Sequence, residues 1–149
     1  MEDMAELKQQ LKSLCASQRL SVLATEREGQ PYSNLVAFAE TDDLGELIFV
    51  TSRHTRKYLN ALSNGKVALM IDSRTNRDSD FETALAVTAL GTVEEVTGDK
   101  RDALVSTYVS KHPYLADFVN RPEQALMRVK VTEYVVASFD KVHVIRIRD

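Results

Sequence analysis

Three apolar runs, Arg19 to Thr25, Tyr32 to Ala39 and Glu46 to Ser52, are separated only by Glu28-Gly29-Gln30-Pro31 and Asp42-Asp43-Leu44-Gly45. Connections this short cannot carry a crossover, so neighbouring runs must fold back on each other as antiparallel strands. Gly, Pro and Asp supply the turn chemistry between them. The rhythm returns in Lys66 to Ile71, Ala84 to Val96, Gln124 to Ala137 and Val142 to Arg148. Strands in hairpin order, with few helices, predict a mainly β (α+β) chain: an antiparallel barrel with peripheral helices.

Two strands carry register information. Gly91, in the middle of Ala84 to Val96, marks a bulge or a close approach by another group. In Gln124 to Ala137, Met127, Val129, Val131 and Val135 alternate with Arg128, Lys130 and Thr132, which predicts one buried and one wet face. Helices are expected in three places. Met4, Leu7, Leu11 and Leu14 make an amphipathic stripe. His54 to Leu62 follows, with Tyr58, Leu59 and Leu62 on one face and a left-handed end at Asn64-Gly65. A third helix begins at Gly98-Asp99, with Asp99 as its N-cap and Leu104 and Tyr108 on one face, and ends at Pro113. A short helical piece is expected over Tyr114 to Val119.

The chain reads as a single domain over 1–149, large enough to bury a core. A net charge of -3, with cations scattered outside Arg53 to Lys57, leaves no footprint for nucleic acid. No apolar run approaches the roughly 18 residues of a membrane span, so a membrane is not an expected partner either. The start, Met1-Glu2-Asp3-Met4, is acidic and has no signal-peptide core. Cys15 is the one cysteine, which excludes an intrachain disulfide and makes the cytoplasm the expected compartment. It follows Leu14 in the leucine stripe and is read as a packing residue. Three scattered histidines without paired cysteines or carboxylates give no metal site.

The chemistry is concentrated in Leu47-Ile48-Phe49-Val50-Thr51-Ser52-Arg53-His54-Thr55-Arg56-Lys57-Tyr58. An apolar run stops at two hydroxyl residues, and a basic pair falls where a helix begins. The first turn of a helix carries partial positive charge, so Arg56 and Lys57 are disfavoured there unless an anion sits nearby. Helix-start N–H groups, hydroxyls and two cations together describe a site for a phosphate. Solvated charges on an ordinary helix are the competing reading.

The order of motifs resembles the pyridoxamine 5′-phosphate oxidase-like flavoproteins, the FMN-binding split-barrel family. The pieces are Val22-Leu23-Ala24-Thr25 before a Gly-x-Pro turn, then Tyr32-Ser33-Asn34-Leu35-Val36-Ala37-Phe38. Phe49-Val50-Thr51-Ser52 with Thr55-Arg56-Lys57 comes next, then Asn64-Gly65-Lys66-Val67, and last Val87-Thr88-Ala89-Leu90-Gly91. The resemblance implies a six-stranded Greek-key split β-barrel working as a homodimer, with FMN in clefts between subunits. It implies that Arg56 and Lys57 grip the FMN phosphate, with Thr51, Ser52 and Thr55 as hydroxyl donors. Ser33, Asn34, Leu35 and Val36 would lie along the isoalloxazine edge, and Val50 near the ribityl chain. In the polar loop Asp72 to Asp80, Arg74 and Asn76 are candidates to reach the partner's flavin, against a plain solvated loop.

The departures from that pattern matter. The oxidase carries a Gln before the Gly, where this chain has about Ala86. Its Arg-x-His element and Trp segment near the C-terminus have no counterpart in Val142-His143-Val144-Ile145-Arg146-Ile147-Arg148, and the chain has no Trp. The expected function is therefore an FMN-dependent oxidoreductase of the family, acting on a small molecule or electron donor, other than the vitamin B6 enzyme. A non-catalytic flavin or electron carrier is the alternative, as is a barrel that binds deazaflavin or haem, with His54 or His143 as an axial ligand. No catalytic acid or base is named by the sequence. His112, ahead of Pro113, is read as a helix-end residue.

Overall fold

The computed structural model describes residues 3–149; Met1 and Glu2 of the acidic start lie outside them. Helix α1 (Met4–Ser17) is capped by Asp3, whose carboxylate accepts from the Ala5 N–H at 3.2 Å, and buries Leu7, Leu11, Leu14 and Cys15. Strands β1 (Leu20–Arg27) and β2 (Gln30–Glu40) are joined by Glu28-Gly29 alone, both at positive φ (53° and 81°). Such a turn has the twist a two-residue hairpin needs. The turn is thus shorter than expected, and Gln30 and Pro31 already pair with Arg27 and Glu26.

Strand β3 (Glu46–Ser52) leads to α2 (Arg56–Ser63) and β4 (Lys66–Asp72). After the polar loop come a one-turn helix α3 (Asp80–Thr83), which the sequence reading lacked, and β5 (Ala86–Val96). Helix α4 (Gly98–Lys111), a 3₁₀ turn (Pro113–Leu115) and α5 (Ala116–Val119) precede β6 (Gln124–Ala137) and β7 (Val142–Arg146).

The strands lie in the order β3-β2-β1-β4-β5-β6-β7, and β3 also pairs with β6. Six strands therefore close into an antiparallel barrel, and β7 extends it beyond β6. The run β4-β1-β2-β3 is the Greek-key arrangement, with the fourth strand returning beside the first. Closure is incomplete at one seam. Strand β2 meets β3 only through Phe38–Glu40, whereas residues 30–37 pair with β1 alone. This seam is the split of the barrel.

The barrel interior holds Leu23, Phe38, Leu47, Phe49, Leu69, Val87 and Met127. A second cluster sits outside the barrel wall, where Tyr108 and Val119 pack on Ile48, Val50 and Leu126. Strand β3 is buried on both sides as a result, which is why it reads as one continuous apolar run.

Three local expectations are corrected. Between Leu90 and Gly91 the pairing of β5 with β6 slips by one residue, so Gly91 faces Val131 while Leu90 faces Glu133. Beyond the slip β6 reverses its faces: Tyr134 and Val136 are buried, and Val135 turns outward with the solvent set. A side chain at Gly91 would collide with the Lys130 carbonyl, so the bulge requires glycine. Helix α4 enters through Gly98 at φ 71° with Thr97 in the cap position, which leaves Asp99 within the first turn, where its charge suits the dipole. Helix α2 starts at Arg56 rather than His54, and Asn64 ends it in an extended conformation (φ -141°), its side-chain Oδ1 accepting from the Lys66 N–H at 3.0 Å.

The outward face of the sheet carries a continuous row. Leu35 pairs with Val22, Val22 with Met70, Met70 with Thr88, Thr88 with Val135 and Val135 with Val144. The bulge brings Val135 into this row. No helix of the described residues is long and apolar enough to cross a membrane.

Candidate phosphate and flavin cleft

The start of α2 is built from short-range chemistry. Thr55, extended at φ -84°, caps the helix: its Oγ1 accepts from the Tyr58 N–H at 3.3 Å and donates to the Ser52 carbonyl at 2.9 Å. The same oxygen lies 2.7 Å from Thr51 Oγ1. Ser52 Oγ accepts from the His54 N–H at 3.2 Å. The hydroxyls of Thr51 and Thr55 are thus spent on shaping the turn, whereas Ser52 only accepts there and keeps its hydroxyl proton. Among the described residues, the first-turn N–H groups of Arg56 and Lys57 have no acceptor.

The cations of this stretch divide sharply. Arg53 donates to Glu95 at 2.6 Å and to the Pro122 carbonyl at 3.0 Å, and Tyr58 donates to the other oxygen of Glu95 at 2.7 Å. Burial works to raise the Glu95 pKa, and the bonds from Arg53 and Tyr58 outweigh it and hold the carboxyl below its usual range. Arg53 is therefore a structural clamp between α2 and β5. Among the described residues, neither Arg56 nor Lys57 has a carboxylate within ion-pair distance. Arg56 lies over the Tyr32 ring, 4.5 Å from its centroid. Lys57 is half-buried, and desolvation lowers its pKa below the usual lysine value. An ammonium losing water without gaining a counter-ion is an electrostatic deficit that a phosphate would remove. Helix α2 is fixed from below by Asn60, which is buried and donates to Thr25 Oγ1 at 3.0 Å.

The seam beside this helix start supplies a second set of donors. In an antiparallel pair the main-chain groups point alternately toward and away from the partner. Phe38 donates to the Arg19 carbonyl, which sets the phase: Tyr32, Asn34 and Val36 bond toward β1, and Ser33 and Leu35 point at the open edge. Ser33 and Leu35 also have exposed side chains. Asn34 is half-buried, and its Oδ1 is buried without a partner. The Val36 side chain belongs to the barrel core and that of Val50 to the cluster under α4, so these two can offer a ligand only backbone.

Arg74 and Asn76 lie at the other end of β1 and β2. Arg74 is paired with Asp72 at 2.9 Å, and Asn76, at φ 62°, donates its N–H to Asp80 at 2.8 Å. Within one subunit they do not join the α2 site. His143 occupies the face of β7 opposite Val142 and Val144, with Nε2 buried and unpartnered; His54 is exposed beside the helix start. His112 is buried against the Phe38 carbonyl at 2.6 Å, at the end of α4. Cys15 is fully buried and its thiol is pushed up to about 12 by burial, in keeping with packing.

Sequence reasoning missed Tyr32 as the platform under Arg56, and Glu95 as the partner that removes Arg53 from the site. The first could have been found from its position on the same strand as Ser33 and Asn34. Nothing local announces the second, because Glu95 is 42 residues from Arg53.

Comparison with known proteins bears on the fold and the family. A non-canonical haem oxygenase of the chloroplast from Arabidopsis thaliana is 32% identical over 127 residues, covering 83% of this chain. The chain spans only 36% of that relative's length. A haem-binding protein from Mycobacterium smegmatis superposes with a TM-score of 0.80 at 15% identity, over 91% of this chain and 55% of that one. An FAD-binding protein from Mesorhizobium loti superposes with a TM-score of 0.68 at 19% identity, over 89% and 90%. The family model described as pyridoxamine 5′-phosphate oxidase matches residues 7–136, nearly the whole barrel, and the chain belongs to that family.

Proposed function

We propose that the protein binds FMN, with the phosphate at the start of α2 and the isoalloxazine along the open edge of β2, and acts as an oxidoreductase on a small molecule. The observation that carries this reading is a cation pair with no acid partner among the described residues: Lys57 half-buried and Arg56 held on Tyr32, both beside helix-start N–H groups that no described residue accepts from. The seam fits the rest of the molecule. Ser33 and Leu35 present N–H donors to a ring nitrogen and carbonyl, and the orphaned Asn34 Oδ1 offers an acceptor for a ring N–H. Bound flavin would supply the electron chemistry. The protein's part is to fix the phosphate, orient the ring and aim hydrogen-bond donors at the ring edge where charge builds on reduction.

The same reading includes a homodimer. The row Leu35, Val22, Met70, Thr88, Val135 and Val144 is an apolar band across six strands, with Leu35 at 62% and Val144 at 44% exposure. A second copy covering it would bury this band and bring Arg74 and Asn76 toward the opposite subunit's cleft. A cytoplasmic location fits the single buried cysteine.

Titration of purified protein with FMN, followed by flavin fluorescence and sedimentation, tests the assignment. Micromolar or tighter binding by a dimer is the expected result. A protein that leaves FMN fluorescence unchanged at millimolar ligand contradicts it. Oxidation of reduced nicotinamide with oxygen, a dye or a quinone as acceptor separates an enzyme from a flavin carrier. Haem is the second reading, favoured by the 32% identity to a haem oxygenase. A Soret band after haem addition, abolished by His54→Ala, would move the assignment to that branch.

A further inference from the structure

The helix start opens, on its outer side, into a cleft of about 530 Å³ that a flavin phosphate alone leaves unexplained. The volume lies within the roughly 300–1,000 Å³ of small-molecule sites. It is bounded by Arg27, Glu28 and Gln30 of the β1–β2 hairpin and by His54, Arg56, Leu59 and Asn60 around α2. Resting on the flavin reading above, we propose that this cleft is a nucleotide subsite, and that the chain takes the dinucleotide FAD in preference to FMN.

Four observations carry the proposal. First, charge: Arg27 and Arg56 are both without a carboxylate partner among the described residues, and His54 adds a third group able to carry positive charge, against the single acid Glu28. A second phosphoryl group linked to the first would sit between Arg56 and Arg27. Second, continuity: Arg56 borders the phosphate position and lines the cleft as well, so a pyrophosphate can pass from one to the other without leaving cationic surface. Third, an unused acceptor at the floor: Asn60 is only 2% exposed and gives its amide N–H to Thr25, yet its Oδ1 accepts nothing from the described residues. That oxygen is not sealed from water, so it faces the cleft and can accept from a ribose hydroxyl. Fourth, the remaining wall suits the rest of a nucleoside. Leu59 is a large apolar side chain 44% exposed in the cleft, a surface for a base. Glu28 is held at φ 53° by the hairpin turn, so its carboxylate stays at the rim, where an acid can accept from ribose hydroxyls.

Equilibrium titration with riboflavin, FMN and FAD, with AMP as competitor, tests this on the whole protein. FAD is expected to bind at least tenfold more tightly than FMN, the weight of one charge-assisted contact. Arg27→Ala and His54→Ala should remove that advantage and leave FMN affinity unchanged, and AMP, which carries only the second phosphate, should displace FAD but not FMN. Equal affinities for FMN and FAD, indifferent to both substitutions, overturn the subsite while leaving the flavin reading intact. If neither flavin binds, both proposals fall. AMP binding with equal FMN and FAD affinities also overturns the dinucleotide, in favour of a free nucleotide.

Discussion

Two cation pairs on this barrel differ in their company. Arg128 and Lys130 stand on β6 with Glu94 and Glu46 on the flanking strands; Arg128 contacts both acids and Lys130 lies 3.8 Å from Glu94. Arg128 is mostly buried in this ladder rather than waving in water, as its alternation had suggested. Arg56 and Lys57 have no acid at all within reach among the described residues. In sequence the two pairs look alike. In the fold, one pair has its acids and the other has none among the described residues, and the proposed binding site rests on that difference.

The largest effect expected from this contrast is on ligand affinity. Replacing both Arg56 and Lys57 by alanine removes two charge-assisted contacts worth about 1.5–3 kcal/mol each, so FMN affinity should fall at least a hundredfold. Thermal stability should hold or rise slightly, because Lys57 carries a desolvation cost in the free protein. A large drop in melting temperature with unchanged flavin binding would assign the pair to the fold instead.

Glu95→Gln probes the boundary between the two kinds of charge. It weakens the clamp in which Arg53 and Tyr58 share one carboxylate, and about 1–2 kcal/mol of unfolding free energy should be lost. Flavin affinity should follow only a few-fold, through a looser helix start. Arg128→Ala should act the other way round. Glu94 is half-exposed and can return to water, so the cost is about 1 kcal/mol in denaturant unfolding, with FMN affinity unmoved. If Arg128→Ala weakened flavin binding as much as the α2 substitutions, the contrast between the pairs would collapse.

How much of this was readable in the chain follows from how local each signal is. The hairpins β1–β2 and β2–β3 are announced by turn residues a few positions apart, and the continuous apolar run of β3 records burial on two sides. The reversal in β6 is not local. It comes from a slip between Leu90–Gly91 and Val131–Glu133, a property of two strands about 40 residues apart, so simple alternation puts Val135 on the wrong face. At the site, the grouping of Thr51, Ser52, Thr55, Arg56 and Lys57 was visible. That Thr51 and Thr55 bond each other, and that Glu95 removes Arg53 from the set, was not. Residue type gives a side chain's capacity for bonding, and only the fold says how much of that capacity is already used.

The smallest predicted effect is the most specific to Lys57. Desolvation lowers its pKa in the free protein, and a bound phosphate would raise it again. A ligand that prefers the ammonium form binds fully below the free-state pKa and progressively less well above it. FMN affinity should therefore rise as its phosphate becomes dianionic near pH 6, hold through neutrality, and decline at alkaline pH earlier than an ordinary lysine would dictate. Stability of the ligand-free protein should move oppositely. A lysine whose folded pKa lies below its unfolded value makes the unfolded chain the stronger proton binder between the two, so unfolding free energy rises with pH across that window. Lys57→Arg keeps its charge throughout and should flatten both trends while preserving most of the neutral-pH affinity. An alkaline decline that survives this substitution would mean that a group other than Lys57 titrates against the ligand.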